Sequence, residues 1–407
     1  MRRLWLALGA SLVTLFVVAR APRAHTLGGE GDAPGVPRRF RGLYHELSEV
    51  LDRFDSFLET RPARRRGGVV FGGEILPANA HRGEGLLDDR GAFPGSLIFI
   101  DHLKELGAGG VSLSMAYPIL TDDYPRSAEY WAFYKRLARE IRSRGLKVHV
   151  KSGPLFTEKE FTSVRTDYSK VTVESYFRDR MRMDQRIAEE IRPDYLSIGN
   201  EPTSEMQILK IKITSDRYRQ FIADTLRGMK RSGVLVGAGS GNWDNTDYIK
   251  RFANDTDLDF IDIHIYPLAS SGEDYLRRAV EMAKIARAGR KRIIIGEAWL
   301  YKASPRELKA NPTAVSVFAR DVYSFWAPLD SRFLEMLAKM AQAEEIEYVS
   351  PFWTKYLFGY VEFGKAGLFP SAKQMTALAD KHMVEQLLAG KYSATGEAYR
   401  RIARANR

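Results

Sequence analysis

Eight short apolar segments, with room for a helix between each pair, constrain the fold of this chain more than any other feature. They lie at 68–75, 110–117, 147–153, 194–201, 234–240, 259–267, 292–299 and 346–353. Apolar residues recur at helical spacing between them, most clearly at 127–144, 175–191, 215–231, 273–288 and 331–344. Strands alternating with helices argue for a parallel sheet, and eight is the number that closes a barrel. The expectation is one (β/α)8 barrel, the TIM barrel, occupying residues 67–407 with its C-terminal helices. An open doubly wound sheet is the runner-up. Its best support, Gly237-Ala238-Gly239-Ser240-Gly241 after a strand, lacks the G-x-G-x-x-G spacing of a dinucleotide loop.

The N-terminal residues precede the first strand and read differently. Arg2-Arg3 stand before an apolar run from Leu4 to Ala19, which ends in Ala19-Arg20-Ala21, a small-x-small cleavage pattern. The run is short for a spanning helix, which needs about 20 apolar residues. Residues 1–21 are therefore expected to be an export signal that is cleaved, with an uncleaved membrane anchor as the alternative; the mature protein would be periplasmic or secreted. Residues 22–41 are a Gly/Pro/Arg-rich connector. Leu43, Leu47, Val50, Leu51, Phe54, Phe57 and Leu58 predict a helix over 42–60 that packs on the body.

Charge says less. The net charge is +11, but residues 1–66 alone hold twelve Lys/Arg against seven Asp/Glu. The remainder is spread along the barrel with no basic run beyond Arg64-Arg65-Arg66, so a solvated surface is expected, with an anionic polysaccharide or membrane surface as the alternative, and no nucleic-acid partner. The chain has no cysteine, which excludes disulfides and thiolate metal sites.

Two strand ends carry the chemistry. Glu201 closes Leu196-Ser197-Ile198-Gly199-Asn200-Glu201, and Glu297 closes Ile293-Ile294-Ile295-Gly296-Glu297. Alternation puts Ser197, Gly199 and Glu201 on one side of the fourth strand, and Ile293, Ile295 and Glu297 on one side of the seventh. Pointing inward, the two carboxylates stand at the C-terminal mouth, where barrel active sites form. Strands four and seven are nearly opposite, so the carboxyl groups can approach to about 5–5.5 Å. Such a pair suits glycosidic bond cleavage, in which one group protonates the leaving oxygen and the other attacks the anomeric carbon. In 259–267, Phe260, Asp262, His264 and Tyr266 share one face and Ile261, Ile263 and Ile265 the other. Asp262, deep in its strand, reads as structural, while His264 can donate to either glutamate or satisfy Asp262. Glu74, Tyr117, Lys151, Trp243 and Trp299 fall at or just past strand ends and are candidate sugar contacts. No His/Asp/Glu set has metal-ligand spacing, and the chemistry requires neither metal nor cofactor. The segment 302–330, with Tyr323, Phe325 and Trp326, is expected either to shape the cleft or to be a packed excursion.

Asn200-Glu201-Pro202 after one strand and Glu297 after another resemble the signatures of the clan A glycoside hydrolases. His264-Ile265-Tyr266 on the sixth strand and Trp353 ending the eighth extend the resemblance, which covers about residues 67–390. It implies a (β/α)8 barrel and retained anomeric configuration, with Glu201 as acid/base and Glu297 as nucleophile. Asn200 would bind the sugar 2-hydroxyl, Tyr266 would orient the nucleophile, and Trp353 would floor the subsite of the cleaved sugar. The chain departs from some families at the end of strand two, where Ser114-Met115-Ala116-Tyr117 stands in place of an arginine. The partner implied is a β-linked glycan, and aromatic strand ends suggest several subsites and endo action. Two other classes compete: a catalytically silent barrel that binds polysaccharide, and a lyase or isomerase barrel with a glutamate base and Lys151 as its cationic partner.

Overall fold

The computed structural model describes residues 35–64, 68–157, 162–163, 166–310, 319–364 and 371–406. Residues 1–21, expected to be an export signal or anchor, lie outside them. Among the described residues no helix is long and apolar enough to cross a membrane. The eight strands are β1 (Val70–Phe71), β2 (Gly110–Ser114), β3 (Lys147–Lys151), β4 (Tyr195–Ser197), β5 (Leu235–Gly241), β6 (Phe260–Ile265), β7 (Arg292–Ala298) and β8 (Tyr348–Pro351). All pair in parallel in the order β1-β8-β7-β6-β5-β4-β3-β2. Backbone hydrogen bonds from Gly109 to Phe71 (2.7 Å), Ser112 to Gly73 (2.9 Å) and Ile75 to Ser112 (3.0 Å) bring β2 against the chain leaving β1. The sheet is a (β/α)8 barrel, as the eight segments predict.

The helices fall where the periodicity puts them: Ser127–Ser143, Val173–Arg186, Ser215–Arg227, Gly272–Ala288 and Ala327–Glu344. The predicted N-terminal helix is Arg41–Glu59, with Leu47, Val50, Leu51, Phe54 and Leu58 buried. It packs outside the ring, where Asp55 meets Lys339 at 2.6 Å and Arg53 meets Glu273 at 2.8 Å. Of the segment 302–330, residues 311–318 lie outside the described ones. Its aromatics are packing groups: Phe325 lies 5.4 Å from Phe40 and Trp326 stacks on Tyr44 at 5.9 Å. This part is a structural excursion.

The barrel interior is layered. Tyr195, Phe260, Ile294 and Tyr348 fill its lower end. Small residues make room for these rings: a Cβ at Gly237 would come within 2.2 Å of Phe260, and one at Gly72 within 2.2 Å of Tyr348. Above them lies a buried polar layer of Ser112, His149, Ser197, Asp262 and Ser350. The mouth comes next, formed by residues at the C-terminal strand ends.

One expectation from strict alternation fails in β7. Ile294, not Ile293 or Ile295, lies in the interior cluster, while Ile293 and Ile295 pack with the surrounding helices. The β6–β7 register shifts between Asp262 and His264, so Asp262 faces Ile294 but His264 faces Glu297. The extra residue re-aims the next side chain, as bulges do. Glu297 reaches the interior because of this shift, not by the parity of Ile293 and Ile295. The bulge is held by the Gly296 N–H, which donates to Asp262 Oδ1 at 2.8 Å. A Cβ at Gly296 would sit 2.3 Å from that same oxygen.

Gly296→Ala should therefore destabilise the barrel by about 1–3 kcal/mol, the usual cost of overpacking. Gly95→Ala, in helix Ala92–Glu105 with open space at its Cβ, should be neutral or stabilising by up to about 1 kcal/mol. Urea unfolding of the two variants beside wild type checks the contrast.

Candidate active site

Pro202 occupies the first turn of the short helix Pro202–Leu209, a position suited to its fixed φ and missing N–H. The helix start stops the β4 segment at Glu201 and holds that side chain over the barrel axis. Glu297 arrives from the β7 bulge. One oxygen of Glu201, one ring nitrogen of His264 and one oxygen of Glu297 all lie within 4.8 Å of one another. The same three groups form a set that a cation could occupy.

Glu297 is held at both oxygens. Tyr266 Oη donates to Oε2 at 2.7 Å, and Lys151 Nζ donates to Oε1. Burial opposes ionisation of Glu297, but the Lys151 cation, followed by His264, overcomes it and keeps the carboxyl below its usual range. Lys151 also meets Glu74 Oε2 at 2.8 Å. Glu74 is fully buried and accepts from Ser114 Oγ (3.0 Å) and Asn79 Nδ2 (3.3 Å). Burial pushes Glu74 up; Lys151 opposes this and the charge on Glu297 adds to it.

His264 resolves the choice left open above. Its Nδ1 lies 2.7 Å from Glu201 Oε1, against 3.6 Å to Glu297 Oε2, while Nε2 is 3.7 Å from Asp262 Oδ2. Burial would discharge the ring, yet the negative charges of Glu297 and Asp262 raise it to about 10. A protonated ring donates from both nitrogens, so Glu201 accepts from Nδ1. Asp262 itself stays ionised at about 2: burial works against it, and His264 and Ser197 Oγ, which donates at 2.6 Å, more than compensate. His149, enclosed in the polar layer, falls to about 3 through burial and stays neutral.

The other predicted contacts separate into two groups. Asn200 lines the pocket with Glu201 and Glu297, its amide 3.4 Å from His264 Nε2. Trp353 faces an adjoining cleft of about 520 Å³, which shares Asn79, His81, Phe156 and Phe352 with the pocket of Glu201 and Glu297. Trp299, Trp243 and Tyr117 do not line either space. Trp299 is fully buried and stacks on Tyr356 at 5.8 Å, Trp243 lies 5.9 Å from the Tyr266 ring, and Tyr117 stacks on Tyr168 at 6.0 Å. They pack the mouth rather than face it, since large rings at strand ends bury most area by turning under the loops. Glu74 likewise faces Lys151 and not the pocket.

Residues that sequence reasoning passed over line the pocket: Asn79, His81, Phe156 and Phe352. His81 stacks on Phe156 at 4.2 Å and accepts from its N–H at 3.3 Å, and burial lowers the ring to about 4. Asn79 and His81, polar residues just beyond Glu74, were the available signal; Phe156 and Phe352 lie elsewhere in the chain.

His264 gains its proton affinity on folding, from about 6.5 in an unfolded chain to about 10 here. Its contribution to stability is fully present below about pH 6.5 and is lost as pH rises through about 10. Urea midpoints should fall across that interval, and His264→Gln should flatten the decline.

No family model and no curated protein matches the chain. Its fold is the barrel that solved clan A glycoside hydrolases share. The exo-β-1,4-mannosidase Op5Man5 of Opitutaceae bacterium strain TAV5 superposes with a TM-score of 0.51 at 15% identity, over 83% of this chain and 59% of that one. A GH5_18 protein of Streptomyces cattleya, solved with GlcNAc, gives 0.50 at 14% identity, over 84% and 80%. At these identities the likeness concerns the fold.

Proposed function

We propose that this protein is an exported retaining β-glycosidase acting on a β-linked oligosaccharide or polysaccharide by two displacements at Glu297. The observation that carries the reading is the pair of carboxylates at the barrel mouth, with oxygens within 4.8 Å and Tyr266 Oη on Glu297. In the first step a Glu297 oxygen bonds to the anomeric carbon as the glycosidic carbon–oxygen bond breaks, and Glu201 gives its proton to the leaving oxygen. In the second, water bonds to that carbon and passes a proton to Glu201, and the electron pair of the ester bond returns to Glu297. Lys151 and Tyr266 support the carboxylate each time it is released. Trp353 and the adjoining cleft offer stacking surface to further sugar units. A lyase reading would need Lys151 free to meet substrate, whereas it is paired with two carboxylates. Export rests on Arg2-Arg3, the apolar run and Ala19-Arg20-Ala21.

The test is a panel of 2,4-dinitrophenyl β-glycosides (gluco, manno, galacto, xylo and N-acetylglucosamine). Glu297→Ala should abolish turnover, and azide should restore some activity with inverted product. Glu201→Ala should still form the intermediate from these activated substrates, because little protonation is needed, and azide should speed its slow second step with retention. Near wild-type rates in both variants would overturn the assignment.

Export has its own readout. Exported material should begin near Pro22 by N-terminal sequencing; Met1 in a membrane fraction would make residues 1–21 an anchor.

A further inference from the structure

Lys151 is a buried cation of the mouth beside His264, with its side chain 3% exposed between Glu297 on β7 and Glu74 just past β1. Its ammonium also lies 5.2 Å from the Phe352 ring. Glu74 has no access to the pocket, and its remaining contacts, Ser114 and Asn79, only fix its orientation. Two carboxylates for one buried ammonium is a costly arrangement unless each has a use. The glycosidase reading, on which this inference rests, gives one. When Glu297 becomes an ester it loses its charge, and without a second partner Lys151 would be an unpaired cation in a closed site.

We propose that Glu74 is a positioning residue: it is the counter-ion that holds Lys151 charged and in place while Glu297 is esterified. The cation then stands ready to stabilise the Glu297 carboxylate as the ester bond breaks in the second step. The arrangement assigns opposite kinetic effects to the two residues. Glu74→Gln makes esterification strand the cation, so the first step slows by about ten- to hundredfold and no intermediate accumulates. Lys151→Met leaves the departing carboxylate unsupported, so the second step slows by a similar factor and dinitrophenolate appears in a burst. The acid limb of kcat/KM should move down in pH for Glu74→Gln, which loses a negative neighbour of Glu297, and up for Lys151→Met.

A substrate-free cycle tests the counter-ion directly. In Glu74→Gln or Glu297→Gln, Lys151 keeps one carboxylate; in the double variant it has none. The drop in Tm of the double variant should exceed the sum of the single drops, and adding Lys151→Met should recover part of it. A double variant that fails to fold while the triple variant folds supports the proposal equally. Additive losses, or slowing of the same step in both single variants, would overturn it. If wild type turns over the panel and a 2-deoxy-2-fluoro glycoside labels Glu297, such a failure leaves the glycosidase reading intact. No turnover and no labelling would remove that reading and this role with it.

Discussion

The Asp262 carboxylate is the contact on which the rest of the site depends. One oxygen takes the Gly296 N–H and fixes the β7 bulge; the other takes the Ser197 hydroxyl and faces His264. The first interaction decides where Glu297 points. The second sets the charge on the ring that reaches Glu201. A single buried acid thus places one proposed catalytic group through the backbone and the other through an imidazolium. It stays ionised there because donors surround it, as a carboxylate in low dielectric requires.

Charge at the mouth is shared across several elements rather than confined within pairs. Lys151 and His264 are the cations, and Glu74, Glu201, Glu297 and Asp262 are the acids they face. No two partners share a strand segment except Asp262 and His264, so removing any one charge is felt through the barrel. Mutual repulsion and burial together explain why the acids diverge: Glu297 is held low by Lys151 and His264, whereas Glu74, further from solvent, is pushed up. Environments that drive neighbouring acids apart mark sites of proton and bond chemistry.

Much of this was legible in the residues alone. Eight apolar segments and the amphipathic helices between them gave the barrel because parallel strands and their crossovers have strong periodic signatures. Glu201 and Glu297 stood out because a carboxylate ending an apolar strand is costly without a role. The bulge was not legible: Ile293-Ile294-Ile295 offers identical side chains to either face, so alternation alone assigns the wrong isoleucines inward. Only the Asp262 carboxylate opposite Gly296 breaks that tie, and it lies on another strand. That Trp299, Trp243 and Tyr117, candidate sugar contacts by position, do not line the pocket has a related reason. Position at a strand end fixes the height of a ring in the barrel but not the direction it turns. His81 and Phe156 were missed because they belong to loops whose approach depends on two separate crossovers.

The polar layer beneath the mouth completes the argument. Ser112, His149, Ser197 and Ser350 fill space that apolar side chains would fill more favourably, since hydrophobic replacement of buried polar groups is often stabilising. An apolar layer would leave Asp262 without the Ser197 hydroxyl and would remove the neutral His149 that donates to it in turn, 3.0 Å from Ser197. Asp262 would then favour its protonated form, His264 would lose its charge, and the Gly296 N–H would lose its strongest acceptor. The aromatic plug of Tyr195, Phe260 and Tyr348 seals the barrel below, so the polar layer meets no water from that side. Packing at the bottom thus keeps the dielectric low enough for a chain of hydrogen bonds in the middle to fix charge and direction at the top.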